Sequence, residues 1–209
     1  MRYTIGMLET YGVTGIIYLI IFILFALTVH EFMHALTGYL LGDTTAKDQG
    51  RISLNPIDHI DPVMTIGLPV LTALLFGAPI LAAKPVPFDP SRVRFGDLGA
   101  ALVALAGPLS NLVLAIVGAV LLQVLGNSFG LLLFISLNVS LFIFNLLPIP
   151  PLDGSRVLYA FMPQPVRELM DQIEPYGLFI VFGLVIMGGF GGLLLSGLNK
   201  TVLSLLGVG

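Results

Sequence analysis

Read as apolar and polar positions, the chain contains four windows without Asp, Glu, Lys or Arg: Thr10–His30, Pro62–Ala83, Leu98–Leu152 and Pro175–Asn199. About 20 apolar residues cross a bilayer core as a helix, so the third window is too long for one span. Gly126-Asn127-Ser128 interrupts it near its middle, which predicts one helix near Leu98–Leu125 and another near Phe129–Leu147. Pro62–Ala83 contains Pro69 and Pro79 and is barely long enough to cross. It either spans or enters and returns on the same side. The last window predicts a span over Tyr176–Leu195. A polar, interfacial helix with Arg167, Glu168, Asp171 and Glu174 precedes it. The fold class expected is an all-α polytopic membrane protein with four to five transmembrane helices, four if Pro62–Ala83 is re-entrant.

The polar segments between windows have their own pattern. Within Asp43–Asp61, Arg51-Ile52-Ser53-Leu54 alternates as a strand does, before a turn at Asn55-Pro56. Lys84-Pro85-Val86-Pro87-Phe88-Asp89-Pro90 has too many prolines for a helix or a central strand, and reads as extended. Short membrane-associated extended strands are expected at both places, with polar surface loops as the plainer alternative. Irregular backbone at membrane depth must be covered by protein or line a wet cavity.

Composition supports the membrane reading. The 209 residues are 56% hydrophobic and 10% charged, with mean hydropathy +1.01, whereas ordinary soluble domains carry about 25% charged residues. With no cysteine, disulfides and thiolate ligands are excluded. A net charge of -3 without a basic cluster gives no support to nucleic-acid binding. The N-terminus lacks the positive region and cleavage site of a signal peptide.

Against this apolar background one run stands out: His30-Glu31-Phe32-Met33-His34. On a helix, His30 and His34 lie one turn apart on one face, so two imidazoles can converge on one ion. Glu31 beside them can take a proton from a metal-activated water, the zincin arrangement. Glu31 is the only Asp, Glu, Lys or Arg between Thr10 and Gly42, and such residues inside an apolar segment are functional by default. A catalytic zinc normally has a third protein ligand. His59 lies in a polar loop, where solvent exposure and capping account for it. Asp153 is the better candidate. It follows Asn145-Leu146-Leu147-Pro148-Ile149-Pro150-Pro151-Leu152, whose prolines open the helix. A simple interfacial Asp-Gly turn is the alternative. In Ala106-Gly107-Pro108-Leu109-Ser110-Asn111, Gly107 permits close helix approach, and Asn111 is a buried amide that must find partners. It either faces substrate or bonds neighbouring helices.

These three motifs, in their order along the chain, resemble the site-2 protease family of intramembrane zinc metalloproteases. Gly50–Pro56 and Ala83–Pro87 are similar to its compact bacterial and archaeal branch, without PDZ-like or CBS-like domains. The resemblance implies an endopeptidase cleaving transmembrane protein substrates in the lipid bilayer. It also implies one zinc ion per chain held by His30, His34 and Asp153, Glu31 as catalytic carboxylate and Asn111 as a substrate- or oxyanion-facing amide. Met33 departs from the small residues frequent at its position in the family. The chain reads as a single domain, 1–209, with a catalytic core over about 15–157 and a C-terminal part over about 163–209. Seven of the nine basic residues share the active-site face if Pro62–Ala83 is re-entrant, which turns that face to the cytoplasm of a prokaryotic cell membrane. The C-terminal glycines allow packing on the chain's own core, a second copy or a regulatory membrane protein. A membrane metal-ion transporter and a catalytically silent membrane chaperone are the alternative functions. A transporter would more naturally show repeats and several sites, and the silent chaperone is disfavoured by an intact glutamate and ligand set.

Overall fold

The structure is a computed structural model and describes residues 2–61, 84–186 and 190–208. Pro62–Ala83, the window that either spans or re-enters, lies outside the described residues. Helix α1 covers Arg2–Leu40 and is broken at Gly12, whose φ of 50° and ψ of -131° are non-helical. Glycine reaches positive φ without the Cβ clash other residues suffer. From Gly12 to Leu40 the helix is long and apolar enough to cross a bilayer, as is the helix over Asp97–Leu125. After α1 come a short α2 (Thr45–Asp48) and a 3-10 turn over Pro56–His59, which Asn55 caps by accepting the Ile57 N–H at 3.2 Å. The helices that follow are α3 (Asp97–Leu125), α4 (Phe129–Asn145) and the short α5 (Asp153–Tyr159). The chain closes with α6 (Gln164–Ile173), α7 (Gly177–Ile186) and α8 (Phe190–Leu205).

Small residues decide which helices meet. Ala26 and Ala35 of α1 are buried, as are Ala101, Ala104, Gly107, Ala115 and Gly118 of α3. Without large side chains between them the backbones approach closely, which is how helices associate where no hydrophobic effect drives them together. A methyl group on Gly118 would lie 2.8 Å from Ile135, so α4 packs directly on that glycine. Ala115, Ala119, Leu122, Ile135, Val139 and Ile143 form the core between α3 and α4, and Leu195, Val202 and Leu203 of α8 cover it. The outward faces of α1 and α3 are apolar, with Ile16, Ile17, Val113, Ile116 and Val120 exposed. Lipid, not water, suits such faces.

The helix boundaries expected around Gly126-Asn127-Ser128 are close to those found. Gly126 ends α3 with a φ of 84°. Toward the C-terminus, where one span is expected over Tyr176–Leu195, the described residues are helical in α7 and α8, and residues 187–189 lie outside the described residues. No β-strand occurs among the described residues, and 51–54 and 84–89 are irregular. The reason lies in their donors. The Lys84 N–H goes to the His59 carbonyl at 3.1 Å, the Val86 N–H to Glu31 at 3.0 Å and the Asp89 N–H to Asp43 at 2.9 Å. A segment whose amides bind a turn and two carboxylates has none of these left for a neighbouring strand.

Candidate metal centre

Helix α1 presents His30 and His34 one turn apart, and α5 begins at Asp153 against them. The His30 and His34 Nε2 atoms are 3.0 Å apart. Asp153 Oδ2 is 3.2 Å from His30 Nε2 and Oδ1 is 3.4 Å from His34 Nε2. Glycine makes this approach feasible: a Cβ on Gly154 would fall 2.2 Å from the Leu146 carbonyl oxygen. Only a bare Cα lets α5 seat on the end of α4 and carry Asp153 to α1.

The hydrogen bonds behind the imidazoles fix which nitrogen holds the proton. The Asn138 Nδ2 donates to the Phe134 carbonyl at 2.9 Å, a group that can only accept. Asn138 Oδ1 therefore faces Asn111, whose Nδ2 donates to it at 3.1 Å. Asn111 Oδ1 in turn lies 2.7 Å from His30 Nδ1, so that nitrogen must be the donor. His34 Nδ1 donates to the Val103 carbonyl at 2.8 Å. In neutral imidazoles with these bonds both Nε2 atoms carry lone pairs, and both point at a carboxylate.

Two lone pairs and a carboxylate oxygen at such distances repel one another unless a cation lies between them. Asp153 Oδ2 is buried and has no hydrogen-bond partner, as expected of an oxygen held for a metal and not for a proton. With donors about 2.0–2.1 Å from a tetrahedral ion, donor atoms stand about 3.3 Å apart, close to the separations found. Room for the ion comes from Gly107, where a Cβ would lie 2.3 Å from His34 Nε2 and 2.6 Å from His30 Nε2. The group His30, His34 and Asp153 can hold a metal. Two imidazoles and a carboxylate suit zinc, with one coordination position left open.

Glu31 is buried beside His30, and its Oε2 accepts the Val86 N–H. Both imidazoles, Glu31 and Asp153 line a cavity of about 690 Å³, together with Pro85, Val86, Pro87 and Phe88. Asn145 lines it too, and the Arg156–Glu174 ion pair stands at the same cavity. Further out, the buried Asp43 carboxylate ties the end of α1 to the loops. It accepts the Thr45 and Asp89 amides, each at 2.9 Å, and the Thr45 hydroxyl at 2.5 Å. Burial pushes the Asp43 carboxyl up, but the hydrogen bonds from Asp89 and Thr45 outweigh it and hold the group below its ordinary range.

Not every residue singled out in the sequence sits at the cavity. Asn111 is fully buried, with its carboxamide bonded to His30, to Asn138 and, at 3.4 Å, to the Ala26 carbonyl. It stands behind His30, and the carboxamide that lines the cavity is Asn145. His59 is buried, contrary to the expectation of solvent exposure. It is 3% exposed, its Nε2 donates to the Ser53 carbonyl at 2.8 Å, and it does not join the metal group. Asn138 was missed, although it carries the same signal as Asn111, a lone carboxamide inside an apolar helix. The Val103 carbonyl and the Val86 amide are backbone groups and left no mark in the sequence.

A membrane-embedded pair of helix-borne imidazoles, a carboxylate as third donor and a neighbouring glutamate on a cavity define a metallopeptidase. Known proteins agree. The model for peptidase family M50 matches residues 123–188. YwhC of Bacillus subtilis, whose name assigns it as a zinc metalloprotease, is 42% identical over 179 residues, spanning 79% of this chain and 78% of that one. Rip2 of Mycolicibacterium smegmatis, named in the same way, is 32% identical over 178 residues, 78% of this chain and 64% of the relative. MJ0611 of Methanocaldococcus jannaschii is 38% identical over 90 residues, 41% of this chain and 46% of its own. No solved structure matches. The chain belongs to peptidase family M50, the site-2 protease family of zinc-dependent intramembrane proteases. That membership does not favour metal-ion transport or a silent chaperone.

Proposed function

We propose that the chain hydrolyses peptide bonds of transmembrane protein substrates, with one zinc ion held by His30, His34 and Asp153. The convergence of two imidazole Nε2 atoms and a buried carboxylate oxygen that has no hydrogen-bond donor, with Glu31 beside them, carries this reading. Zinc supplies Lewis acidity, which makes water nucleophilic near neutral pH and polarises the scissile carbonyl. Glu31 takes the proton of the attacking water at Oε1, with Oε2 held by Val86, and delivers it to the leaving amine. Asn145 Nδ2 donates one hydrogen to the Leu141 carbonyl at 3.0 Å, and its second can meet the carbonyl of a bound substrate. Asn111 works on His30, not on substrate: it holds the imidazole in the tautomer a metal requires.

A substrate helix hides its carbonyls in its own hydrogen bonds, so it must unwind before attack. Residues 85–88 along the cavity offer a border for the unwound chain. The reading keeps four to five spans and one catalytic unit over 1–209, with α6 lying in the interface. Positive charge on Lys47, Arg51, Lys84, Arg92, Arg94, Arg156 and Arg167 favours a cytoplasmic active-site face in a prokaryotic cell membrane. Glycines along α7 and α8 leave surfaces for a second copy or a regulatory membrane protein.

Metal analysis paired with cleavage of a transmembrane reporter tests the assignment. Glu31→Gln should keep about one zinc per chain and lose proteolysis, because it removes the proton acceptor and no ligand. His34→Ala and Asp153→Ala should lose both. Full zinc and full turnover in Asp153→Ala would refute the ligand set, and cleavage by Glu31→Gln would refute the mechanism.

A further inference from the structure

We propose that the Val86 amide and the Arg51 guanidinium are positioning groups for Glu31, acting in series from the loop after α2. The inference rests on Glu31 as the proton acceptor. Arg51 is 5% exposed, and its Nη2 donates to the Lys84 carbonyl at 2.7 Å. The Lys84 N–H donates to the His59 carbonyl, so both main-chain polar groups of Lys84 are gripped from one loop. Two residues on, the Val86 N–H meets Glu31 Oε2 at 3.0 Å. Beyond it, the Asp89 N–H is held by Asp43 at 2.9 Å. The segment is thus pinned at both ends and touches the glutamate in its middle.

Sequence makes this segment stiff. Pro85 and Pro87 lock φ on either side of Val86 and restrict the residues before them to extended conformations. They also lack N–H groups, so Val86 carries the one amide between Lys84 and Phe88. Arg51 Nε is buried without a hydrogen-bond partner. A cation in that position is costly, and an apolar side chain would fill the space at lower cost if packing were its whole role. What an apolar side chain cannot do is hold the Lys84 carbonyl. A glutamate on a helix has three rotatable torsions, and fixing one oxygen with a charge-assisted bond leaves the other aimed before substrate arrives.

The test uses the full chain in detergent, with a transmembrane reporter peptide for kcat and KM and chelator competition on metal-free protein for zinc affinity. Val86→Pro removes the amide, and Val86→Ala keeps it. Val86→Pro should hold zinc with unchanged affinity and keep KM within about threefold, while kcat falls about 10- to 100-fold, the worth of a hydrogen bond to a charged group. Val86→Ala should turn over like the parent. Arg51→Met should lower kcat in the same manner, Arg51→Lys should recover part of it, and Arg51→Met with Val86→Pro should be no worse than Val86→Pro alone within about threefold, because both act on one bond. A Val86→Pro protein whose kcat matches Val86→Ala overturns the proposal, as does a loss confined to KM or zinc affinity, or a double variant whose losses multiply. Glu31→Gln separates the two levels. If it cuts at the parental rate, the role of Glu31 and this inference fall together; if it is inactive while Val86→Pro turns over like Val86→Ala, only the inference falls.

Discussion

Gly107→Ala is the smallest change that should empty the metal site. The new methyl would stand 2.3 Å from His34 Nε2 and 2.6 Å from both His30 Nε2 and His34 Cε1. That is roughly 1 Å inside an ordinary contact of about 3.5 Å, so either the imidazoles or α3 must move. The rings cannot turn away freely, since His34 Nδ1 is bound to Val103 and His30 Nδ1 to Asn111. Breaking one such bond in a buried setting costs about 1–3 kcal/mol, comparable with the cost of overpacking a core by a methyl group. Against this, alanine is favoured over glycine in a helix by about 1 kcal/mol, so a methyl that met nothing would stabilise the protein. The sign of the change is therefore informative. Metal-free Gly107→Ala should melt below the parent, and displacement of one imidazole should weaken zinc by at least about 100-fold, or about 2.7 kcal/mol. Competition against a chromophoric chelator measures the second quantity. Gly197→Ala, where a Cβ meets nothing within 4 Å, should bind zinc like the parent. A Gly107→Ala protein that does the same, with a raised melting temperature, would refute the geometry.

Two further outcomes are expected. Asn138→Leu removes the acceptor that orients Asn111, so the Asn111 amide can turn and His30 can adopt the tautomer that offers no lone pair at Nε2. Zinc affinity should fall about 10- to 100-fold, measured by the same competition, and an unchanged affinity would break the chain of assignments from Phe134 to His30. Asp43→Asn tests the tether at the end of α1. Its carboxyl is held below its ordinary value, so its stabilisation is present above the unfolded pKa and is lost as pH falls through the folded one. The variant should melt lower than the parent at pH 7, and the gap should narrow below about pH 4; a gap independent of pH would show that the charge is not what stabilises.

How far the sequence revealed this arrangement depends on what kind of group did the work. His30, His34, Glu31 and Asp153 are ionisable side chains in apolar surroundings, and their cost makes them visible. The split of Leu98–Leu152 at Gly126-Asn127-Ser128 was legible for a similar reason, because backbone-breaking residues cluster there. The alternation at Arg51–Leu54 and the prolines at Lys84–Pro90 correctly excluded helix but suggested strands. Where the amides of Lys84, Val86 and Asp89 go depends on His59, Glu31 and Asp43, which are distant in sequence. Asn111 was seen, but its direction was not. A carboxamide has a donor and an acceptor end, and nothing in residue identity says which of several neighbours each end will meet.

The direction of Asn111 nevertheless follows once the helices are in place, and the starting point is a group with no choice. The Phe134 carbonyl can only accept, so Asn138, Asn111 and His30 must each donate in turn toward it, over 2.9, 3.1 and 2.7 Å. Val103 imposes the same restriction on His34 in a single step. Two main-chain carbonyls, on α4 and α3, therefore set the lone pairs of two imidazoles on α1, and α5 supplies the opposing carboxylate. The proposed ligand set is assembled from α1 and α5, but its chemical state is set by α3 and α4. On this proposal a site of three ligand side chains needs most of the helical core around it, and the loss of one buried carboxamide, far from any substrate, should register first as weaker metal binding.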